Sequence, residues 1–129
     1  MSDYKLKKTV DLPFDEADAR VRERLQEEGF GVLTEIDVKE TLKKKLDVDF
    51  RRYRILGACN PPLAHQALSA ETDIGLLLPC NVIVYEEDEG RSVVAALDPV
   101  TQLGVTGRDD IRPLAEEVRG RMERVLAAL

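Results

Sequence analysis

The chain has 129 residues, of which 43% are hydrophobic and 34% are charged, so we expect one globular domain over residues 1–129 with a heavily charged surface. This composition excludes collagen-like, low-complexity, disulfide-scaffold and membrane-spanning chains. With 19 Lys and Arg against 25 Asp and Glu, the formal net charge is −6, which predicts repulsion from nucleic acids and anionic membranes.

The first third of the chain predicts strands alternating with helices. Alternating side chains over residues 4–10 predict a strand, and the helical spacing that follows predicts a helix that Gly29 ends. Residues 30–36 predict a second strand. Asp37 is expected to begin a short basic helix as its N-cap, with Glu40 reaching back to complete a capping box.

The middle of the chain contains the strongest local signal for a helix start. Residues 53–59 predict a third strand, and Asn60 follows as an N-cap before two prolines that suit the first turn of a helix. Residues 73–79 are expected to be irregular, because they contain glycine and proline and show no clear period.

The last third predicts a β-hairpin and a long helix. The hairpin is formed by residues 81–86 and 92–97, and an acidic turn joins them. Apolar residues spaced by three and four predict a helix over residues 110–129. The order is therefore β-α-β-α-β-α-β-β-α, which predicts an α+β domain with a mixed or antiparallel sheet and helices packed on it.

A candidate site is predicted where the third strand meets its following helix. Cys59 ends the strand just before a helix N-terminus, where unpaired N–H groups and the helix dipole favour a thiolate. His65, the single histidine, points away from the apolar stripe of that helix, and Cys80 begins the next strand. Two thiols and one imidazole are three ligands suited to an open site for a soft or borderline metal ion such as zinc or copper.

Several interpretations of this site stay open. The first is a small-ligand or metal-binding module with a pocket beside the two cysteines and the histidine. Its candidate residues are Cys59, Asn60, His65, Cys80, Asn81 and Asp98, with Cys59, His65 and Cys80 as the metal ligands. The alternative is a thiol-based redox protein or enzyme that uses Cys59 as a thiolate and Cys80 as its resolving partner. A purely structural interpretation treats both cysteines as small buried hydrophobic residues.

A further alternative is a dimeric structural or interaction protein. The apolar run over residues 74–79 lies outside any amphipathic pattern. It is expected either to belong to the core or to form a surface that a second subunit covers, which would make the protein a homodimer. The N-terminus lacks the apolar segment of a secretory signal, and two cysteines do not form a disulfide framework. We therefore expect a cytoplasmic protein with free thiols and no nucleic-acid or membrane partner.

Three stretches and one dipeptide resemble the domain-of-unknown-function family 302: residues 29–37, 56–61 and 75–82, and Asp98–Pro99. The resemblance runs through nearly the whole chain and its matching positions cluster around the candidate site. It implies a small prokaryotic α+β domain and a homodimer, with no established activity. In that family a Met often follows the Asp-Pro pair. This chain has Gln102 there, a departure that argues against a copper site with a thioether ligand.

Overall fold

The computed structural model describes residues 3–129, and its five strands form one sheet. The strands are β1 (Lys5–Val10), β2 (Gly31–Asp37), β3 (Tyr53–Cys59), β4 (Cys80–Asp88) and β5 (Arg91–Leu97). Their order across the sheet is β1-β5-β4-β3-β2, and each neighbouring pair is antiparallel. Of the two sheet types that the sequence allowed, the structure has the antiparallel one.

Five α-helices connect or follow the strands. They are α1 (Phe14–Glu27), α2 (Val38–Leu46), α3 (Pro61–Ala70), α4 (Pro99–Gly104) and α5 (Arg112–Ala127). The predicted α+β class and element order are confirmed, with one short helix added after β5. That helix, α4, was not predicted, because six residues are too few to show a helical period.

Two 3₁₀ turns refine the predicted boundaries. The first, Thr72–Leu77, replaces the irregular segment expected over residues 73–79. It ends just before a cis peptide bond between Leu78 and Pro79. The second, Asp109–Ile111, occupies the start of the predicted last helix, so α5 begins two residues later than expected.

Both predicted N-caps are confirmed. The backbone N–H of Glu40 donates to Asp37 Oδ1 at 2.9 Å, and that of Leu63 donates to Asn60 Oδ1 at 3.3 Å. The predicted capping box is only half formed, because the Glu40 carboxylate pairs with Lys44 at 3.0 Å instead of reaching back to the helix start. An ion pair one turn along the exposed face competes for the same carboxylate.

The main core lies between one face of the sheet and helices α1 and α5. The buried sheet residues on this face are Val10, Leu56, Ala58, Val82, Val84, Val94 and Ala96. A smaller cluster at the end of the sheet joins α3, the first 3₁₀ turn, α4 and α5 through Ala67, Ile74, Leu103, Ile111 and Ala115. None of the helices described over residues 3–129 is long and apolar enough to cross a membrane.

Candidate functional site

A cavity of about 330 Å³ lies where the end of β3 and the start of β4 meet α3, the first 3₁₀ turn and α5. Its lining residues are Phe30, Leu33, Thr34, Ala58, Cys59, Asn60, Leu63, Ala64, Ala67, Leu68, Gly75, Leu78, Pro79, Cys80, Leu103, Leu114 and Val118. Leu33 and Leu68 are also exposed, at 67% and 39%, so they mark the mouth of the cavity.

The chemistry of this cavity is apolar. Besides the two thiols, Thr34 and Asn60 are the polar side chains among the lining residues that the structure describes, and no charged side chain lines it. Such a wall favours a ligand through removal of apolar surface from water. A charged ligand would lose its hydration without finding a counter-charge in the wall.

The N-terminus of α3 faces the cavity through Asn60 but offers no donor to an anion. Pro61 and Pro62 have no N–H, and the N–H of Leu63 donates to Asn60 Oδ1. The N–H of Ala64 donates to the Asn60 carbonyl at 2.8 Å. At each of the first four positions of α3, the backbone N–H is therefore either absent or already hydrogen-bonded. The start of the helix lines the cavity but has no free N–H group for an anion.

The two thiols lie on neighbouring strands, both line the cavity, and both are free. Ala58 is the register partner of Cys80, so Cys59 is offset from Cys80 by one residue. Neighbouring positions in a strand turn their side chains to opposite faces, and this offset works against a direct Sγ–Sγ bond. Burial, with a smaller contribution from Cys59, raises the pKa of the Cys80 thiol to about 11, which keeps it neutral near pH 7.

Three of the predicted site residues do not line the cavity. His65 and Asn81 are exposed to solvent, and Asp98 is buried elsewhere. Across residues 3–129 the structure contains no group of three or more His, Cys, Asp or Glu side chains placed to hold a metal ion. The structure therefore brings together Cys59, Asn60 and Cys80 but not the histidine that the metal hypothesis requires.

Asp98 and Gln102 fix the position of helix α4. Asp98 caps that helix by accepting the N–H of Val100 at 2.9 Å, and its other oxygen lies 3.1 Å from Arg119 Nη1. Gln102, which stands near the Met position of the resembling pattern, donates from Nε2 to the Leu77 carbonyl. These contacts hold α4 against α5 and the first 3₁₀ turn. Asp98 and Gln102 therefore fix elements that line the cavity without lining it themselves.

We expect the Asp98→Ala substitution to lower the free energy of unfolding by about 1–2 kcal/mol, from the lost cap and the lost partner of Arg119. Asp98→Asn keeps an oxygen that accepts the Val100 N–H, so it is expected to cost less than the alanine variant. Urea unfolding of the two variants measures this difference. Equal losses would show that the cap contributes nothing and that the ion pair accounts for the whole effect.

Several lining residues were not recognised as part of a site from the sequence. Leu68, Leu114 and Val118 belong to apolar helical stripes, and such a stripe looks the same whether it packs solidly or borders a cavity. Thr34 and Gly75 lie in stretches that resemble the family, but neither residue was named as part of the site. The sequence pointed to this site through the glycine, proline and cysteine residues near the ends of the predicted strands.

The fold and the cavity can be compared with known proteins. The family described as domain of unknown function DUF302 matches residues 6–129. A crystal structure from Bacillus stearothermophilus, described as an uncharacterized conserved protein DUF302, is similar with a TM-score of 0.91 and 29% identity, covering 98% of each chain. No curated protein matches the chain. Because the family match spans nearly the whole chain, this protein belongs to the DUF302 family.

Proposed function

We propose that this protein is a small-molecule-binding module that takes a compact, uncharged apolar ligand into the cavity beside Cys59 and Cys80. The observation that carries the proposal is the cavity itself, which has about 330 Å³ of space and an apolar wall. This volume lies at the lower end of the range of about 300–1,000 Å³ that is usual for small-molecule sites.

The position of the cavity supports binding at this place. Its walls come from separate parts of the chain, so the sheet holds one side rigid while α3 and the 3₁₀ turn form the other. Leu33 and Leu68 at the mouth expose apolar surface that a ligand would cover. The neutral Cys80 thiol offers a weak donor inside an otherwise apolar site.

The other functions inferred from the sequence have less support. A metal site needs His65 beside the thiols, and this side chain is exposed on a helix position that does not line the cavity. A redox pair needs a thiolate and a bond between the sulfurs, and the register offset works against that bond. A cytoplasmic setting belongs to the proposal, since a reducing compartment keeps both thiols free.

Filling the cavity tests this function. The probe is N-phenyl-1-naphthylamine, a neutral apolar fluorophore, and the absence of Trp from the chain keeps the fluorescence background low. We expect saturable binding to the unaltered protein. The Ala64→Phe variant places a ring in the cavity, and its affinity is expected to fall at least about tenfold, which corresponds to about 1.4 kcal/mol.

Gln66→Phe is the matched control, because it adds the same ring to an exposed position of the same helix that does not line the cavity. Its affinity for the fluorophore should equal that of the unaltered protein. Thermal unfolding of each variant checks that the fold is kept. Absence of saturable binding to the unaltered protein, or equal affinities of the Ala64→Phe and Gln66→Phe variants, would refute the proposed function.

A further inference from the structure

One side-chain amide in the cavity wall is only half used by the fold. Asn60 is 7% exposed and lines the cavity at the start of α3. Its Oδ1 accepts the N–H of Leu63 as the helix cap, so the other end of the amide is Nδ2, which has two hydrogens to donate. Among the hydrogen bonds within residues 3–129, Nδ2 donates to no acceptor.

The helix cap does not explain why this amide nitrogen is present. Serine, threonine and aspartate accept the same backbone N–H as well as asparagine does, and none of them adds a second polar group that needs its own partner. Folded proteins pair nearly all of their buried polar groups, so an unpaired buried donor calls for an explanation. A ligand in the adjoining cavity would supply the missing acceptor.

The surroundings of Nδ2 are rich in donors. A Cβ atom at Gly29 would stand 2.9 Å from Asn60 Nδ2 and 3.2 Å from Arg121 Nη1, so both nitrogens border the same space. Nη1 donates to the Glu28 carbonyl and Nη2 to Glu117, while the buried Nε of this guanidinium has no partner within residues 3–129. Donors that outnumber their acceptors attract an oxygen atom with partial negative charge.

We propose that the ligand of the cavity carries one uncharged carbonyl oxygen, as in a ketone, aldehyde or ester, and that this oxygen accepts a hydrogen bond from Asn60 Nδ2. This inference rests on the proposed function and names the chemical class of its ligand. A carboxylate would bring a full charge against a wall without charged side chains. A hydroxyl group would add another donor where donors already lack partners. One such polar contact fixes the orientation of a ligand in an otherwise apolar pocket.

Three ligands of similar size test the proposal. Ethylbenzene has no polar atom, acetophenone has a carbonyl acceptor, and 1-phenylethanol has a hydroxyl donor. Their dissociation constants are measured by displacement of N-phenyl-1-naphthylamine. Asn60→Ser keeps a capping oxygen and removes the amide nitrogen. We expect this variant to weaken acetophenone binding at least about fivefold and to change ethylbenzene binding by less than about twofold, because only the ketone loses a hydrogen bond.

Asn60→Asp gives a second reading, because it keeps the size of the side chain and the cap but replaces the Nδ2 donor with an acceptor. We expect the affinity for 1-phenylethanol relative to that for acetophenone to rise at least about tenfold in this variant. A damaged cap would weaken both ligands together and leave their ratio unchanged. Asn81→Ser is the matched control, because Asn81 is exposed and does not line the cavity, and all three constants should stay the same.

NMR of the unaltered protein gives a reading that does not depend on any variant folding. The side-chain N–H signals of Asn60 are expected to move downfield when acetophenone binds and not when ethylbenzene binds, while those of Asn81 stay fixed. Unmoved Asn60 signals with acetophenone bound would overturn the inference. So would equal effects of Asn60→Ser on acetophenone and ethylbenzene, and both outcomes leave the proposed function standing. Absence of binding by the fluorophore and by all three ligands would overturn both proposals.

Discussion

Replacing Gly57 with alanine is expected to lower the free energy of unfolding by about 3 kcal/mol, or roughly 10 °C in melting temperature for a chain of this length. A Cβ atom at this position would stand 2.8 Å from Pro79 Cγ, and it would overlap the Thr34 side-chain oxygen. The threonine can turn away, but the proline ring is held by the chain on both sides. The added methyl group therefore forces the strand and the cavity wall apart.

Two further variants separate this clash from a general effect of losing a glycine in the sheet. Gly31 lies on neighbouring β2 with open space where its Cβ would stand, so Gly31→Ala is expected to change stability by less than about 0.5 kcal/mol. Adding Thr34→Ala to Gly57→Ala removes the overlapping oxygen and is expected to recover part of the loss. Urea unfolding measures all of these variants, and equal losses for Gly31→Ala and Gly57→Ala would contradict the explanation.

Local chemistry explains why most of the fold could be predicted. Asp37 and Asn60 begin helices because their side chains accept backbone N–H groups that a helix start leaves unpaired, and this rule needs no knowledge of the rest of the molecule. The helical spacing of apolar residues in α5 and the alternation in β1 are equally local signals. The order of strands across the sheet could not be predicted in the same way, since it depends on which distant segments bury each other.

The candidate site was predictable only in part, for a related reason. The sequence put Cys59 and Cys80 at strand ends, but whether they share one end of the sheet depends on β3 and β4 being neighbours, which the structure shows. His65 was grouped with them by its position in the sequence, but a helix turns its side chains through every direction, and this one faces solvent. The cavity itself is a gap between packed elements. A sequence pattern that records apolar positions does not record whether the space between them is filled.

The stability of the protein is expected to fall in alkaline solution through Cys80. A thiol ordinarily ionises near pH 9, and burial raises the pKa of Cys80 in the folded protein to about 11. Below about pH 9 both states hold the proton, and the contribution of the buried thiol is fully present. Between these values the unfolded chain loses a proton that the folded chain keeps, so the free energy of unfolding falls as pH rises, by about 2–3 kcal/mol in all.

The measurement is urea unfolding at a series of pH values between 8 and about 11, carried out on the unaltered protein and on Cys80→Ala. Other groups titrate in this range, so the expected result is the difference in slope between the two proteins. Cys59→Ala is the matched control and should keep the alkaline loss of stability.

Alkylation gives an independent reading of the same thiol. At pH 8 the raised pKa leaves Cys80 with about one hundredth of the thiolate of an ordinary cysteine, so iodoacetamide should modify it about 100-fold more slowly in the folded Cys59→Ala protein. A rate equal to that of free cysteine would show an accessible, ionised thiol. That outcome would contradict an unreactive Cys80 in the cavity wall. It would favour the redox function in which Cys80 is the resolving partner of Cys59.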